Sequence, residues 1–320
     1  MDAMIVDPSQ TVVLSCLGWV DHGSLWKYDV TAGVPTLLPL SDAEFLRVFA
    51  GDERYFVVQH HWGASRFRVT AHAWDHPEVS VGAIDVSGWV PNVSGDRSVW
   101  AGLPTAFVGA LDHDATGAAG HYVLTTNGGS PTVTRLEWFD ERYDHGYQGV
   151  ISVLRLRRDA MLLFGVQRSS DLVLTDVAGG SELRRVPLAG AFGNPHPFQS
   201  RLGHDIWTTD YDTIVRLDSR SWAVLGERML QPAAAGTRMF VGDVWLPPDE
   251  SMVVVARPGV GDVLVLDPRS LDVSASVELG REPLAAVALT GGTVIARDWK
   301  TGDPLLGELP SRRRWARRRG

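Results

Sequence analysis

The stretch GDVLVLDPRSLDVSASVELGREP, residues 261–283, decides the fold. It holds two apolar runs joined by an Asp-Pro turn, followed by a Gly-x-x-Pro exit. Together with the residues upstream, 245–279 reads as a short strand, an acidic Pro turn, an apolar strand, a loop, an apolar strand that ends in Asp, a turn and a fourth strand. This order predicts a four-stranded antiparallel meander of about 40 residues.

The same order of elements occurs in residues 4–40, and the Asp that ends the third strand recurs along the chain. It is found at Asp29, Asp75, Asp176, Asp218 and Asp267, with Asn127 in the remaining gap. Asp and Asn suit this place because their side chains accept hydrogen bonds from the backbone two residues on and so start a tight turn. A shorter copy with three strands follows at residues 284–309.

Evenly spaced meanders with a period between about 40 and 50 residues are typical of a β-propeller, in which each meander is one blade. The strand DVLVLD, residues 262–267, is nearly all apolar, as expected where neighbouring blades cover both faces of a sheet. We therefore predict an all-β, seven-bladed β-propeller of four-stranded antiparallel blades with a short last blade. Residues 1–310 would form this single domain and residues 311–320 an Arg-rich tail. Six or eight blades are the alternatives.

Residues 263–283 resemble the YVTN-type propeller repeat in their apolar strand, their Asp turn, their V-x-L-G and the Pro three residues after Gly280, which is Pro283. The resemblance is clear over residues 239–298 and degenerate elsewhere. It implies the fold but no activity, because this broad group contains binding modules, scaffolds and a few lyases and dehydrogenases.

Composition and charge indicate the cellular compartment of the protein and how charge is distributed along the chain. The single cysteine, Cys16, cannot form an internal disulfide, and it lies in an apolar run, so we expect a buried thiol in a reducing compartment. No run approaches the 18 apolar residues of a membrane span, and MDAMIVDPSQ lacks the features of a secretory signal, so we expect a cytoplasmic protein without membrane association. The formal charge is −8; the last ten residues contribute six arginines, so residues 1–310 carry −14.

Loops between the second and third strands of each blade open on one face of a propeller, and the links between blades open on the same face. These loops are predicted at 18–24, 60–65, 112–120, 167–170, 209–213, 257–261 and 298–303, with blade links at 140–149 and 191–199. Loops on a rigid scaffold often carry binding residues, and His and aromatic side chains suit such contacts. The predicted binding face contains His22, His61, Trp62, His113, His145, Tyr147, His196, Tyr211 and Trp299.

No metal site or other cofactor site is expected. DHDATG, residues 112–117, has the oxygen spacing that opens a calcium loop but lacks the glutamate at the twelfth position. If residues 57–61 pair with 66–70, His72 and His76 lie too far from His61 to share a zinc ion with it. The Asp-His dipeptides at 21, 75, 112 and 144 do not make relays, because adjacent residues on a strand point to opposite faces.

Two functional hypotheses follow. The first is a non-catalytic binding module or scaffold that recognises a protein or peptide on its loop-rich face. The alternative is a small-molecule enzyme of bacterial secondary metabolism, a lyase, cyclase or hydrolase, with His and Tyr at the channel mouth; the sequence names no catalytic residue. Nucleic acid is not expected as a partner except through the tail, Arg312–Arg319, which either docks on the last blade or projects as a partner-binding arm.

Overall fold

The computed structural model of the protein describes residues 3–7, 9–16, 25–38, 45–50, 54–60, 66–77, 79–87, 89–95, 105–111, 119–127, 130–135, 150–155, 161–166, 171–176, 181–188, 195–199, 205–210, 212–230, 241–242, 244–247 and 249–310. Every regular element in these ranges is a β-strand. A helix long and apolar enough to cross a bilayer is not found in them.

The strands form sheets that we number in chain order. Sheet 1 contains β1 (Ala3–Val6), β2 (Val12–Cys16), β3 (Leu25–Asp29) and β4 (Val34–Leu38). Sheet 2 contains β5 (Phe45–Ala50), β6 (Arg54–His60), β7 (Arg66–Ala73) and β8 (Ser80–Ser87). Sheet 3 contains β9 (Trp89–Gly95), β10 (Thr105–Leu111), β11 (Ala119–Asn127) and β12 (Ser130–Arg135). Sheet 4 contains β13 (Val150–Arg155), β14 (Met161–Val166), β15 (Asp171–Asp176) and β16 (Glu182–Pro187).

Sheet 5 contains β17 (Pro195–Gln199), β18 (Asp205–Asp210), β19 (Thr213–Asp218) and β20 (Val224–Met229). Sheet 6 contains β21 (Val244–Trp245), β22 (Val253–Arg257), β23 (Asp262–Leu266) and β24 (Val273–Glu278). Sheet 7 contains β25 (Pro283–Ala288), β26 (Thr293–Asp298) and β27 (Pro304–Glu308). Within the described residues, the strand order in every sheet follows the chain and each pairing is antiparallel, so each sheet is a meander. The prediction of an all-β, antiparallel chain is confirmed.

Burial falls from the middle strands of a sheet to its fourth strand. β23 is buried along its whole length, as its apolar sequence predicts, whereas the fourth strands β16 and β20 are mostly exposed and half of the residues of β24 are exposed. The core therefore lies between sheets. Trp207 of sheet 5 packs with Val255 and Leu264 of sheet 6, and Ile5 of sheet 1 packs with Tyr55 of sheet 2.

Sheet 7 packs on both sheet 6 and sheet 1. One apolar cluster joins Val254 of β22, Val287 of β25 and Met4 of β1, and β25 contacts both β1 and β22. Cys16 at the end of β2 is fully buried in the cluster between sheets 1 and 2, which confirms the prediction of a buried thiol.

The predicted Asp turns join third and fourth strands. The Asp267 Oδ1 accepts hydrogen bonds from the N–H groups of Arg269 and Ser270 at 2.9 and 3.0 Å. Asp218 and Asp29 bond the second and third following N–H groups in the same way. The backbone then reverses through a residue of positive φ, which is Leu271 after Asp267 (φ 60°).

Two sequence assignments are wrong in detail. β7 ends at Ala73, so Asp75 lies two residues beyond the strand that it was expected to end, in a bend with its side chain exposed. Residues 191–199 were predicted to be a link, but 195–199 form β17, the first strand of sheet 5. Neither the Pro at 195 nor the Pro at 197 prevents this, because an edge strand tolerates residues that lack an N–H donor.

Candidate functional site

Three connecting segments meet at one end of sheets 6 and 7. They join β22 to β23, β24 to β25 and β26 to β27, and antiparallel strands bring all three to the same end. Between them lies an open depression of about 690 Å³, which we call the 6/7 groove. Its lining residues are Pro258, Gly259, Val260, Gly261, Gly280, Arg281, Glu282, Asp298, Lys300 and Thr301.

Asp298, the last residue of β26, holds the groove together. Its side chain is buried, and its Oδ1 accepts hydrogen bonds from the N–H groups of Lys300 and Thr301, each at 2.8 Å. The Glu282 N–H donates to Oδ2 at 3.3 Å. Burial raises the pKa of Asp298, but the N–H groups of Thr301, Lys300 and Glu282 outweigh it and hold this pKa below the ordinary aspartate value. The charged carboxylate therefore ties the β26–β27 loop to the link from sheet 6.

Backbone contacts fasten the same link to the loops on both sides. The Trp299 N–H donates to the Glu282 carbonyl at 2.8 Å, and the Leu279 N–H donates to the Gly261 carbonyl at 3.0 Å. Gly261 has a φ of +85°, and a Cβ placed on it would lie 3.0 Å from the Arg281 carbonyl oxygen. Only glycine fits this close approach without strain.

The rim of the groove carries two exposed ion pairs. Lys300 Nζ lies 2.5 Å from Glu282 Oε1, and Arg281 Nη1 lies 2.9 Å from Asp303 Oδ2. The hydrogen bond with Glu282 raises the pKa of Lys300. Exposed pairs contribute little to stability, so each of these charges is available to exchange its partner for a charge on a ligand.

Apolar side chains stand beside these charges. Val260 is 46% exposed and Trp299 is 38% exposed, which leaves much of each for contact with a partner. At the base of the β22–β23 loop, the Arg257 guanidinium pairs with the Asp262 carboxylate, whose Oδ2 also accepts a hydrogen bond from Ser276 Oγ at 2.7 Å. This pair joins the two strand ends that carry the loop.

Comparison with known proteins identifies the fold. No protein-family model matches the chain, and no curated protein matches it. The β-propeller domain of Cps50 (Swd1) from Myceliophteria thermophila superposes with a TM-score of 0.70 at 9% identity, over 96% of each chain. The chain has a β-propeller fold. A structure of a mitotic checkpoint complex matches with a TM-score of 0.61 at 9% identity, over 96% of this chain and 86% of that one.

Two of the predicted binding-face residues belong to the described part of the propeller. Trp299 lies in the β26–β27 loop beside the groove, between the second and third strands of sheet 7. His196 is the second residue of β17 and pairs with Thr209, so its backbone lies at the end of sheet 5 where β18 leads to β19. The other seven lie outside the described residues: His22, His61, Trp62, His113, His145, Tyr147 and Tyr211.

The sequence did not single out the groove residues Asp298, Glu282 and Arg281. A signal for Asp298 was present, because Asp298 and Gly302 have the same spacing as Asp29 and Gly33. In both turns the Asp carbonyl accepts a hydrogen bond from the Gly N–H at 2.9 Å, and the Gly has positive φ. The partnership of Asp298 with Glu282 had no such signal, since it joins a loop to a link 16 residues away.

His72 is part of the core of sheet 2. It pairs with Tyr55, whereas His60 pairs with Phe67 at the other end of the same two strands. The His72 ring is buried and stacks on the Tyr55 ring with 5.1 Å between centroids, and its Nε2 lies 2.8 Å from Thr70 Oγ1. Among the residues that the structure describes, no group of three or more His, Cys, Asp or Glu side chains is placed to hold a metal ion. Residues 112–117 lie outside them.

Proposed function

We propose that the chain is a non-catalytic binding module, a seven-bladed propeller of the YVTN type that recognises an extended segment of another protein on its loop-rich face. Residues 1–310 form one ring, which closes between sheet 7 and sheet 1. The contacts of β25 with β1 support this closure, as does the bond from Thr290 N–H to Gln10 Oε1 at 2.9 Å.

The 6/7 groove is the observation that carries the proposal. Its open shape suits an extended chain better than a small molecule, because small-molecule sites usually enclose most of their ligand. Val260 lines the groove, and Trp299 lies between the lining residues Asp298 and Lys300 in the chain; both are partly exposed and supply apolar contact. Aromatic residues often dominate the energy of protein interfaces. The rim pairs Lys300–Glu282 and Arg281–Asp303 supply both signs of charge for orienting a peptide.

The structural neighbours are consistent with such a role. One of them was solved as part of a mitotic checkpoint complex, a multiprotein assembly. A propeller suits protein recognition because its loops can differ in sequence while a rigid frame of sheets holds them in place. In this protein the β24–β25 link, which contains Glu282, bonds both the β22–β23 loop and the β26–β27 loop, and so fixes the position of one loop relative to the other.

A displayed library of extended peptides, selected on the purified full chain, tests the proposal. We expect selected peptides to lose at least about tenfold in affinity on Trp299→Ala, because removing an aromatic hot spot commonly costs that much. Val224→Ala is the matched control, since Val224 is 51% exposed but begins β20, at the end of sheet 5 opposite to the loop that joins its second and third strands. Failure to select any peptide, or selected peptides that bind the Trp299→Ala variant unchanged, would contradict the proposal.

A further inference from the structure

The outer edge of β27 differs from the corresponding edge in the other sheets. Within the described residues, the third strand of every other sheet pairs with a fourth strand, whereas β27 pairs with β26 alone. The third strand β23 is buried throughout, but Leu306 in the middle of β27 is 51% exposed. An unpaired edge presents a row of N–H and C=O groups that another strand can bond.

We propose that residues 315–319 of the chain's own Arg-rich tail occupy this edge as an antiparallel fourth strand. The chain leaves β27 at Glu308, and the Leu309 N–H donates to the Gly292 carbonyl at 2.8 Å, so the tail begins at one end of the edge. The inference is independent of the binding function proposed above.

The length of the tail fits this path. In sheets 1, 4, 5 and 6 the connection from third to fourth strand has four, five, five and six residues. Six residues after Glu308 bring the chain to Trp315, and Pro310 then occupies the place that Pro268 has in sheet 6. The five residues from Trp315 to Arg319 equal the five of β27.

The charges are complementary. The tail carries six arginines, whereas β27 carries no basic residue. Glu308 lies at one end of the edge, Asp303 precedes its other end, and Glu278 is exposed on the neighbouring β24. At ordinary salt, exposed charges interact over about 8–10 Å, so these acids attract a tail that is tethered at Pro310.

Arginines on fourth strands already occur in this propeller. Arg185 of β16 bonds the Asp171 carboxylate of the adjacent third strand at 3.1 Å. Arg228 of β20 bonds the Asp272 carboxylate of sheet 6 at 3.2 Å. A fourth strand rich in arginine therefore repeats an arrangement that the chain uses elsewhere.

The pairing of β23 with β24 in sheet 6 also predicts the register in which the tail pairs with β27. There, Leu264 of β23 lies opposite Ser276 of β24. The same offsets place Leu306 opposite Arg318. Residues directly opposite on antiparallel strands have Cβ atoms about 4.5–5.5 Å apart, close to the distance that a disulfide bridges.

A cysteine scan on the full chain tests the pairing. Leu306→Cys is combined in turn with Ala316→Cys, Arg317→Cys and Arg318→Cys, and disulfide formation is measured under mild oxidation; the native Cys16 is fully buried and does not compete. We expect Arg318→Cys to cross-link at least about tenfold faster than Arg317→Cys, whose side chain faces the other side of the sheet. Equal rates at all three positions, or no cross-link at any, would overturn the proposal.

Stability provides a second readout. Two consecutive prolines, Arg317→Pro with Arg318→Pro, place one missing N–H toward β27 whichever way the strand alternates. The matched control is Arg317→Ala with Arg318→Ala, which removes the same charges but keeps both N–H groups. We expect the proline variant to melt about 2 °C or more below the alanine variant. Equal melting temperatures would show that the tail does not pair with β27.

Discussion

Arg297 of β26 donates a hydrogen bond of 2.7 Å from Nη1 to Oγ of Ser15 in β2, 282 residues earlier in the chain. Arg297 is fully buried, and its guanidinium carbon lies 5.4 Å from the centre of the Trp26 ring. A buried cation requires such partners because removal from water is costly. The last sheet is thus joined to the first by a polar contact as well as by apolar packing.

Ser15→Ala tests this contact. The substitution removes an acceptor from a buried guanidinium, so we expect a loss of about 1.5–3 kcal/mol in the free energy of unfolding, measured by urea denaturation. The matched experiment is the same substitution in an Arg297→Met background, where no buried cation needs the hydroxyl. The loss should there be smaller. Equal losses in the two backgrounds would mean that Arg297 and Ser15 are not coupled.

Asp267→Ala tests the turn that joins β23 to β24. The change leaves two N–H groups without the carboxylate oxygen that they bond, those of Arg269 and Ser270. We expect a loss of about 0.5–2 kcal/mol, the range for losing a local side-chain cap. Asp272→Ala is the control, because Asp272 belongs to the same turn region but its side chain is 76% exposed and forms a surface pair with Arg228. Asp272→Ala costing as much as Asp267→Ala would refute a capping role.

Gly261→Ala and Gly33→Ala form a matched pair. Both glycines have positive φ, but a Cβ on Gly33 would have nothing within 4 Å, whereas one on Gly261 would meet the Arg281 carbonyl. Gly33→Ala should cost only the backbone strain, about 1–2 kcal/mol. Gly261→Ala should cost more, and it should also weaken peptide binding because it displaces the link that carries Arg281 and Glu282. Thermal unfolding and titration with a selected peptide measure the two effects.

His72 makes stability depend on pH. Burial lowers the pKa of His72 below its usual 6.5, against weaker opposing effects of the Pro77 and Val79 backbone. The unfolded chain therefore binds a proton at a pH where the folded protein does not, so this contribution to stability is complete above pH 6.5 and decreases as the pH falls below it.

To test this pH dependence, the free energies of unfolding of the wild type and of the His72→Phe variant are measured by denaturation between pH 5 and pH 8, at steps of about one pH unit around the usual histidine pKa. We expect the variant to lose less stability than the wild type on going from high to low pH. His76→Gln serves as control, since it removes an exposed histidine from the same hairpin region. A wild type and a His72→Phe variant with parallel pH profiles would contradict the assignment.

Much of the fold could be predicted because its signals are local. The Asp267 turn is encoded within five residues, and the apolar run of β23 records burial on both faces. Repetition of such a unit predicts a propeller without knowledge of any distant contact. The exceptions, Asp75 and the start of β17, occur where a turn signal is offset from the strand end or where prolines occupy a strand.

The sequence by itself determined the antiparallel meanders, the Asp turns, the buried Cys16 and the segments that join second to third strands, since hydrophobic periodicity and turn chemistry act over a few residues. Only the tertiary structure decided that Asp298 binds the Glu282 backbone, that Val260 and Lys300 line one open groove, and that Arg297 contacts Ser15. These relationships depend on how separate sheets pack against each other. No spacing along the chain records the distance between two sheets, because that distance results from the summed shapes of the side chains between them.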